Sequence, residues 1–482
     1  RVTKSDVLIV GSGAAGAAAA WSLSRNGLKV TCLEQGRWIE KSEYSHGQSD
    51  YELARQSEFH KDPNVRRWPE DYPINVSGTP IRPLMMNAVG GSTVHWSGHF
   101  PRMRPSDFRV RTLDGIADDW PLTYWDLEPF YELNDSMIGV SGLAGDPGNP
   151  PRGVRQTPPL GFDVACEAYF RGLDKLGWHW WPSDNALISE VFGHDRSACN
   201  GCGPCDIGCP TASMSSAHVT YWPMAMGNGV DLITHARVEE VTVDENGSAR
   251  GVVFRDEAGV RREHTARVVI VAANGIGTPR LLLNSVSSQF PKGLANHSGL
   301  VGTHLMFHPV GFVTGVFDEP LDAQRGPLGG LMNCQEFYET DLSRGFVRGF
   351  ELQLSRSVGP LTTANGGLSG VPVAWGAGHH RALGKIYRHA ITITVMGEDL
   401  PEEINRVTID PQLTDADGTP APLVRYRLGA NSKKMMPFAI ARAQELCEAA
   451  GAVEVLVDPL VQDSGWHLMG TAKMGNDPKT SV

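Results

Sequence analysis

The sequence predicts a mixed α/β protein of two domains, one built on a parallel β-α-β unit and the other on an antiparallel sheet. The chain has 482 residues, which is too long for a single small module. A strand, a glycine-rich turn, a helix and a second strand follow one another within residues 5–36. Further along, residues 388–397, 405–410 and 422–428 alternate apolar and polar side chains as half-buried strands do, which predicts one antiparallel sheet.

Between these two regions, residues 231–271 predict a β-meander with a hairpin turn at Glu245-Asn246-Gly247. The meander leads into a second glycine turn and a helix near Pro279–Asn284. Residues Ser432–Ala450 predict an amphipathic helix that ends at Gly451, because glycine favours the left-handed conformation that closes a helix. We expect both domains to be discontinuous. The first comprises 1–105, 225–310 and 458–482, and the second comprises 106–224 and 311–457.

Composition and charge exclude several classes of protein. Forty-three Lys and Arg stand against 54 Asp and Glu, for a formal charge of -11, and no stretch interleaves basic and aromatic residues. Nucleic acid is therefore not an expected partner. The longest apolar runs are much shorter than the ~20 residues of a membrane-spanning helix, so no transmembrane segment is predicted.

The turn after the first strand carries the glycine spacing of a dinucleotide-binding fingerprint, in the residues Gly11, Gly13, Ala14, Ala15 and Gly16. The first glycine makes the tight turn, the second lets the backbone approach a pyrophosphate, and the third allows close packing of helix on strand. The start of the helix offers free N–H groups to the phosphates. Glu34, at the end of the next strand, suits the ribose hydroxyls of an adenosine. The segment thus predicts a Rossmann-like site for FAD or NAD.

Half of the eight cysteines crowd into a short loop at 195–216, namely Cys199, Cys202, Cys205 and Cys209. Their spacing is that of ferredoxin-type iron–sulfur ligands, which predicts a 3Fe-4S or a 4Fe-4S cluster. A zinc ion held by four cysteines is the second interpretation, and disulfides or free thiols are the third. Because one tight loop does not easily reach four corners of a cube, the fourth ligand stays open.

A set of segments in chain order resembles the glucose-methanol-choline (GMC) oxidoreductase family. They are VLIVGSGAAGAAAAWSLSRNGLKVTCLEQG near the start, NAVGGSTVHW at 87–96, Ala236-Arg237-Val238, VIVAANGIGTPRLLLNS at 269–285, NRVTID at 405–410 and HLMGTAKMG at 467–475. The resemblance covers essentially the whole chain. It implies that the first domain binds FAD and that the second domain binds the substrate.

The resemblance also implies individual roles. Further FAD contacts are expected from Gly90, Gly91, Ser92, His95, Val238, Ala273 and Gly275. His95 stands where some relatives bond a histidine to the flavin and others do not, so both a covalent tether and a packing role stay open. His467 is expected to be the catalytic base, although without the resemblance His308 or His389 would serve equally well. Relatives continue past the position of residue 482 with a second catalytic Asn or His, and we expect this sequence to stop short of that segment.

The activity implied by the resemblance is oxidation of a secondary hydroxyl of a sugar or glycoside, with hydride transfer to flavin N5. Electrons would then pass through the iron–sulfur cluster to a cytochrome or quinone, as in the glucoside 3-dehydrogenase branch. The alternatives are a gluconate 2-dehydrogenase-like large subunit, a GMC alcohol oxidase or dehydrogenase for a non-sugar alcohol, and a non-catalytic electron-transfer subunit. A small accessory subunit, a cytochrome c acceptor and a periplasmic location are expected, with the cytoplasm as the alternative. Residues of about 310–400, with Trp375 and His379-His380, are expected to line the substrate pocket.

Overall fold

The structure is a computed structural model of the chain and describes residues 3–46, 50–356, 358–367 and 369–482. Its strands are, in chain order, β1 (Thr3–Val10), β2 (Val30–Leu33), β3 (Asn75–Gly78), β4 (Trp181–Pro182), β5 (Asp231–Ile233), β6 (Arg237–Val243), β7 (Ala249–Arg255), β8 (Arg261–Val271), β9 (Val310–Val316), β10 (Gly329–Cys334), β11 (Phe350–Ser355), β12 (Ala390–Gly397), β13 (Arg406–Thr414), β14 (Pro420–Arg425) and β15 (Glu454–Asp458).

The α-helices are α1 (Ala14–Ser24), α2 (Tyr51–Gln56), α3 (Pro63–Arg66), α4 (Val110–Asp114), α5 (Tyr124–Ile138), α6 (Val164–Leu176), α7 (Tyr221–Gly227), α8 (Asn274–Asn284), α9 (Pro360–Ala364), α10 (His379–Ile386) and α11 (Ala430–Ala450). Single 3-10 turns lie at Lys41–Glu43, Gly91–Val94, Pro105–Phe108 and Leu342–Arg344. None of the helices in the described ranges combines the length and the apolar character that a bilayer crossing needs.

The first sheet has the strand order β5-β2-β1-β8-β7-β6. Its strands β5, β2, β1 and β8 run parallel, and α1 joins β1 to β2, which confirms the predicted β-α-β unit. Strands β6, β7 and β8 are antiparallel neighbours, as the predicted meander requires. Because the carboxyl ends of parallel strands meet at one edge, the glycine turn after β1 and the residue after β2 lie together there.

The second sheet has the order β15-β9-β12-β11-β10-β4, and its paired strands are antiparallel. Successive side chains of a strand point to opposite faces. On one face Leu352, Ile393 and their neighbours form the largest core cluster with residues of α6 and α11. The other face is polar although it is also buried, with the side chains Thr314, Glu351, Gln353, Thr392 and Thr394. A buried polar face of this kind positions functional groups inside the molecule.

A small third sheet corrects the sequence-based expectation of one shared antiparallel sheet. Strand β12 belongs to the second sheet, whereas β13 pairs with β14 and β14 pairs in parallel with β3. Alternating side chains identify a strand, but its partners depend on packing between distant segments. Helix α11 was predicted correctly, since it ends at Ala450 and Gly451 follows with a φ of 101°. The domain boundaries stay a prediction.

Candidate active site

A cavity of about 330 Å³ lies at the edge of the first sheet, where β1, β2 and β8 end. The predicted cofactor residues that line it are Gly11, Gly13, Ala14, Ala15, Glu34, Gly91, Ser92, Val238 and Ala273. The remaining four, Gly16, Gly90, His95 and Gly275, lie outside its lining. The cavity also has lining residues that were not among the predicted contacts, such as Tyr72, Arg237 and Arg280. Arg237 and Arg280 stand inside the segments that resemble the GMC family, whereas Tyr72 lies outside all of them.

The glycines of the first turn are needed for different physical reasons. A Cβ added to Gly16 would lie 2.0 Å from the carbonyl oxygen of Gly11, so this glycine is required by packing inside the protein. A Cβ added to Gly13 would meet nothing closer than the Cα of Gly91, at 3.9 Å. Gly13 faces the cavity and is the helix N-cap, where backbone N–H groups are free. The cradle at Gly13 therefore fits a pyrophosphate that approaches the backbone.

The side chain of Glu34 stabilises the glycine turn and also lines the cavity. Its Oε2 accepts hydrogen bonds from the N–H of Ser12 at 2.9 Å and the hydroxyl of Ser12 at 2.6 Å. Its Oε1 accepts the N–H of Gly36 at 2.8 Å and, with two lone pairs, retains capacity for another donor. Burial raises the pKa of Glu34 above its usual range, against the hydrogen bonds from Ser12 and Gly36. The predicted contact with ribose hydroxyls is compatible with this remaining acceptor capacity.

His95 is buried, with 4% of its surface exposed. Burial, with smaller effects of Lys61 and Arg66, lowers the pKa of His95 to about 3, so its ring is neutral. Its Nε2 is buried and has no hydrogen-bond partner within the described residues. A buried, unpartnered ring nitrogen beside the glycine loop is compatible with a flavin contact, and both the tether and the packing role remain open.

Two histidines from distant segments meet beside the second sheet. The rings of His467 and His308 are 4.8 Å apart between centroids and cross at 78°. The Nδ1 of His308 lies 3.1 Å from the carbonyl oxygen of Gly397, which can only accept, so Nδ1 carries the hydrogen and Nε2 is the free acceptor. His389, the other candidate from the sequence, instead contacts the carbonyl of Phe317 at 3.0 Å.

The surroundings keep both imidazoles neutral. His467 is accessible to solvent, although many protein atoms surround it. Burial, followed by the neighbouring His308, lowers the pKa of His467 to about 3, and burial lowers the pKa of His308 as well. A Cβ at Gly275 would lie 2.3 Å from the carbonyl oxygen of Leu468, so this glycine lets the segment that carries His467 approach α8. The neutral form is the one that accepts a proton.

The polar face of the second sheet adds a residue that sequence reasoning missed. Glu351, on β11, is buried next to His99 and Asn333, and its carboxylate interacts electrostatically with His308 and His467. The alternation in FELQLS, with a carboxylate and an amide at every second position, was the available indication. Of the predicted pocket residues, Trp375 is 78% exposed and His380 is also exposed, whereas His379 is buried and stacks on the ring of Trp375. None of the three lines the nucleotide cavity, and their role in a substrate pocket stays a prediction.

The cysteine loop does not form a metal-binding group in this structure. All eight cysteines are free, and within the described residues no cluster of three or more His, Cys, Asp or Glu side chains is arranged to hold a metal ion. Two backbone N–H groups nevertheless donate to sulfur at 3.4 Å, Leu328 to Cys205 and Met214 to Cys209. The thiols of the loop are also near neighbours, since burial and, to a smaller extent, Cys199, Cys209 and Cys202 each raise the pKa of Cys205.

Comparison with known families agrees with the nucleotide cavity and the histidine pair. Models of the GMC oxidoreductase family match residues 153–310 and 401–482, and a model described as FAD dependent oxidoreductase matches residues 6–57. The glycine cradle at the first turn lies inside the FAD-related match, and His467 lies inside the second GMC match. The fold and the site thus define an FAD-dependent oxidoreductase that acts on alcohol CH–OH groups.

Among curated proteins, the chain is 42% identical to 2-methyl-1,2-propanediol dehydrogenase of Mycolicibacterium austroafricanum, over 99% of this chain and 87% of that protein. It therefore belongs to the GMC oxidoreductase family. It is also 27% identical to the fructose dehydrogenase large subunit of Gluconobacter japonicus, over 99% of this chain and 89% of the relative. Among solved structures, pyridoxine 4-oxidase from Mesorbium loti has the same fold, with a TM-score of 0.61 and 14% identity over 98% of this chain and 90% of that one.

Proposed function

We propose that this protein is an FAD-dependent dehydrogenase that oxidises a hydroxyl group of a small non-sugar alcohol. The observation that carries the proposal is the contact between two neutral imidazoles, His467 and His308, of which His467 is accessible to solvent. The relative with 42% identity is named as a dehydrogenase of a small branched diol, which supports a compact alcohol over a sugar ring. The sugar or glycoside substrate expected from the sequence is the second candidate, supported by the fructose dehydrogenase relative at 27% identity.

Removing two electrons from an alcohol transfers hydride from carbon and a proton from oxygen. FAD, when bound in the cavity, supplies the hydride acceptor. His467 accepts the hydroxyl proton, because its imidazole is neutral and accessible. His308, whose Nδ1–H is held by the Gly397 carbonyl, packs against the ring of His467 and thereby positions it. The protein thus positions the alcohol and holds the proton while the carbonyl product forms.

Anaerobic stopped-flow absorbance tests the proposal directly. We expect 1,2-propanediol and 1-propanol to bleach the flavin of the purified protein faster than glucose or methyl glucoside does at equal concentration. The reduced protein should reoxidise faster with an artificial one-electron acceptor than with oxygen, as a dehydrogenase does. A sugar or glycoside that reduces the flavin faster than every small alcohol would establish the second candidate instead, and no reduction by any of these compounds would contradict both.

We also propose that the cysteine loop binds an iron–sulfur cluster, which would draw its thiols together. The ferredoxin-type spacing supports this, as do the N–H groups of Leu328 and Met214 that already donate to sulfur. Asp206 within the loop forms ion pairs with Lys61 at 2.7 Å and Arg55 at 2.6 Å, which anchor the loop next to the segment that precedes the glycine loop. The donor chemistry therefore suits a cluster that passes electrons singly.

Replacing the exposed Cys202 by serine tests this second proposal. We expect Cys202→Ser to lose most of its bound iron and to slow flavin reoxidation by a one-electron acceptor, while FAD content and flavin reduction by alcohol stay unchanged. Cys166→Ala, a buried cysteine outside the loop, is the matched control and should keep its iron. Wild-type protein that contains flavin but neither iron nor acid-labile sulfide would rule the cluster out, and stoichiometric zinc would support the zinc interpretation.

A further inference from the structure

The polar face of the second sheet carries an ionised carboxylate inside the protein. Glu351 alternates along β11 with Phe350 and Leu352, which pack into the apolar core, so its own side chain points to the opposite face. Only 7% of Glu351 is exposed. Burial raises its pKa, but the interaction with His99 and the hydrogen bond from Asn333 outweigh this and bring the pKa of Glu351 to about 2. At neutral pH the group is a carboxylate that can only accept hydrogen bonds.

The neighbours of this carboxylate do not use all of its hydrogen-bonding capacity. His99 Nε2 lies 3.3 Å from Oε1, and the Nδ2 of Asn333 donates to Oε2 at 3.0 Å. Gln335 reaches Oε2 only at 3.5 Å. A carboxylate offers about four acceptor sites, so Oε1 can accept a further donor. The Oδ1 of Asn333 and the Nδ1 of His99 are buried and have no hydrogen-bond partner in the described part of the chain.

Unpartnered polar groups of this kind are costly in a protein interior, and they are usually satisfied by a ligand or by water. Glu351 also lies near the histidines that are proposed to act on the substrate. The charge of Glu351 partly opposes the lowering of the pKa of His308 and His467 by burial, so it lies within electrostatic range of the proposed base. Asn333 and Gln335 also line a second cavity of about 150 Å³.

We propose that Glu351, Asn333 and His99 form a subsite that binds a second, non-reacting hydroxyl group of the substrate. The inference rests on the proposed alcohol dehydrogenase function and deepens it, since it assigns the substrate to the class of small diols. The non-reacting hydroxyl donates to Glu351 Oε1 while the reacting hydroxyl faces His467. A site built to pair with a hydroxyl group discriminates against an analogue that lacks it, because its own polar groups are then left unsatisfied. Glu351 is thereby a specificity-determining residue.

The test compares two alcohols that differ by one hydroxyl group, 1,2-propanediol and 1-propanol, in anaerobic flavin reduction. We expect wild-type protein to prefer the diol in the ratio of reduction rate to apparent Kd, and Glu351→Gln to lower this preference by about tenfold or more. The variant should retain its FAD, and its reduction by 1,2-propanediol should fall much more than its reduction by 1-propanol. Glu336→Gln is the matched control, because it changes an exposed acid three residues from Asn333 and should leave the preference intact.

Binding without chemistry provides a second readout. Pinacol and 2,3-dimethyl-2-butanol differ by one hydroxyl, and neither carries an oxidisable hydrogen on a carbinol carbon. We expect pinacol to inhibit the wild type more strongly and to perturb the flavin spectrum at lower concentration, and Glu351→Gln to remove that difference. In Glu351→Gln, an equal loss of flavin reduction by 1,2-propanediol and by 1-propanol, or an unchanged preference for the diol, would overturn the proposed subsite. The proposed function would remain intact.

Two other outcomes are equally decisive. Faster reduction by 1-amino-2-propanol than by 1,2-propanediol would show that the carboxylate selects an ammonium group, and would overturn the assignment to a hydroxyl. Failure of every alcohol to reduce the wild-type flavin would refute the proposed function, and the subsite with it.

Discussion

Replacing His467 by alanine is expected to slow flavin reduction by an alcohol by about 10²- to 10⁴-fold, the usual contribution of a positioned general base. The neutral imidazole of His467 is the proposed acceptor of the hydroxyl proton, and an alanine leaves that proton to water or to His308. FAD content should not change, because His467 does not line the nucleotide cavity. Single-turnover stopped-flow absorbance under anaerobic conditions measures the effect without interference from reoxidation.

The surface variant His194→Ala is the matched control. The side chain of His194 is 95% exposed, so its removal should not change the rate of flavin reduction. Because the pKa of His467 lies well below its usual range, protonation of this residue should not limit reduction of the wild type even at about pH 6. A His467→Ala protein that keeps its FAD and is reduced at the wild-type rate would exclude His467 as the base.

Replacing Gly13 by valine is expected to yield folded protein that contains almost no FAD. The protein itself has room for the new side chain, since the nearest atom to an added Cβ is 3.9 Å away and the φ of -65° suits any residue. The side chain would instead occupy the place where the pyrophosphate approaches the backbone. The ratio of flavin absorbance to protein absorbance after purification reports the loss, and thermal unfolding of the apoprotein reports the fold.

Two further glycine variants serve as comparisons for Gly13→Val. Gly161→Val is the matched control, because an added Cβ there meets nothing within 4 Å, and it should retain FAD and stability. Gly16→Val should fail to fold stably, because its Cβ would lie 2.0 Å from the Gly11 carbonyl oxygen. A Gly13→Val protein with a full complement of FAD would show that the cofactor does not approach the first turn.

Part of the fold was predictable because it is encoded locally. The β-α-β unit follows from apolar runs and from glycines within a few residues of each other, and the end of α11 follows from one glycine with a φ of 101°. The resemblance carried by longer segments led to FAD and to His467. The accessory subunit, the cytochrome c acceptor and the periplasmic location stay predictions.

The sequence by itself determined the glycine cradle at Gly13, because the cradle depends on residues close together in the chain, and the resemblance of longer segments pointed to FAD and to His467. Only the tertiary structure decided that β12 leaves β13 and β14 for another sheet, that His308 lies beside His467, and that Glu351 faces inward. These arrangements depend on packing between segments far apart in sequence. Periodicity shows which face of a strand is polar, but the neighbouring elements decide what that face meets.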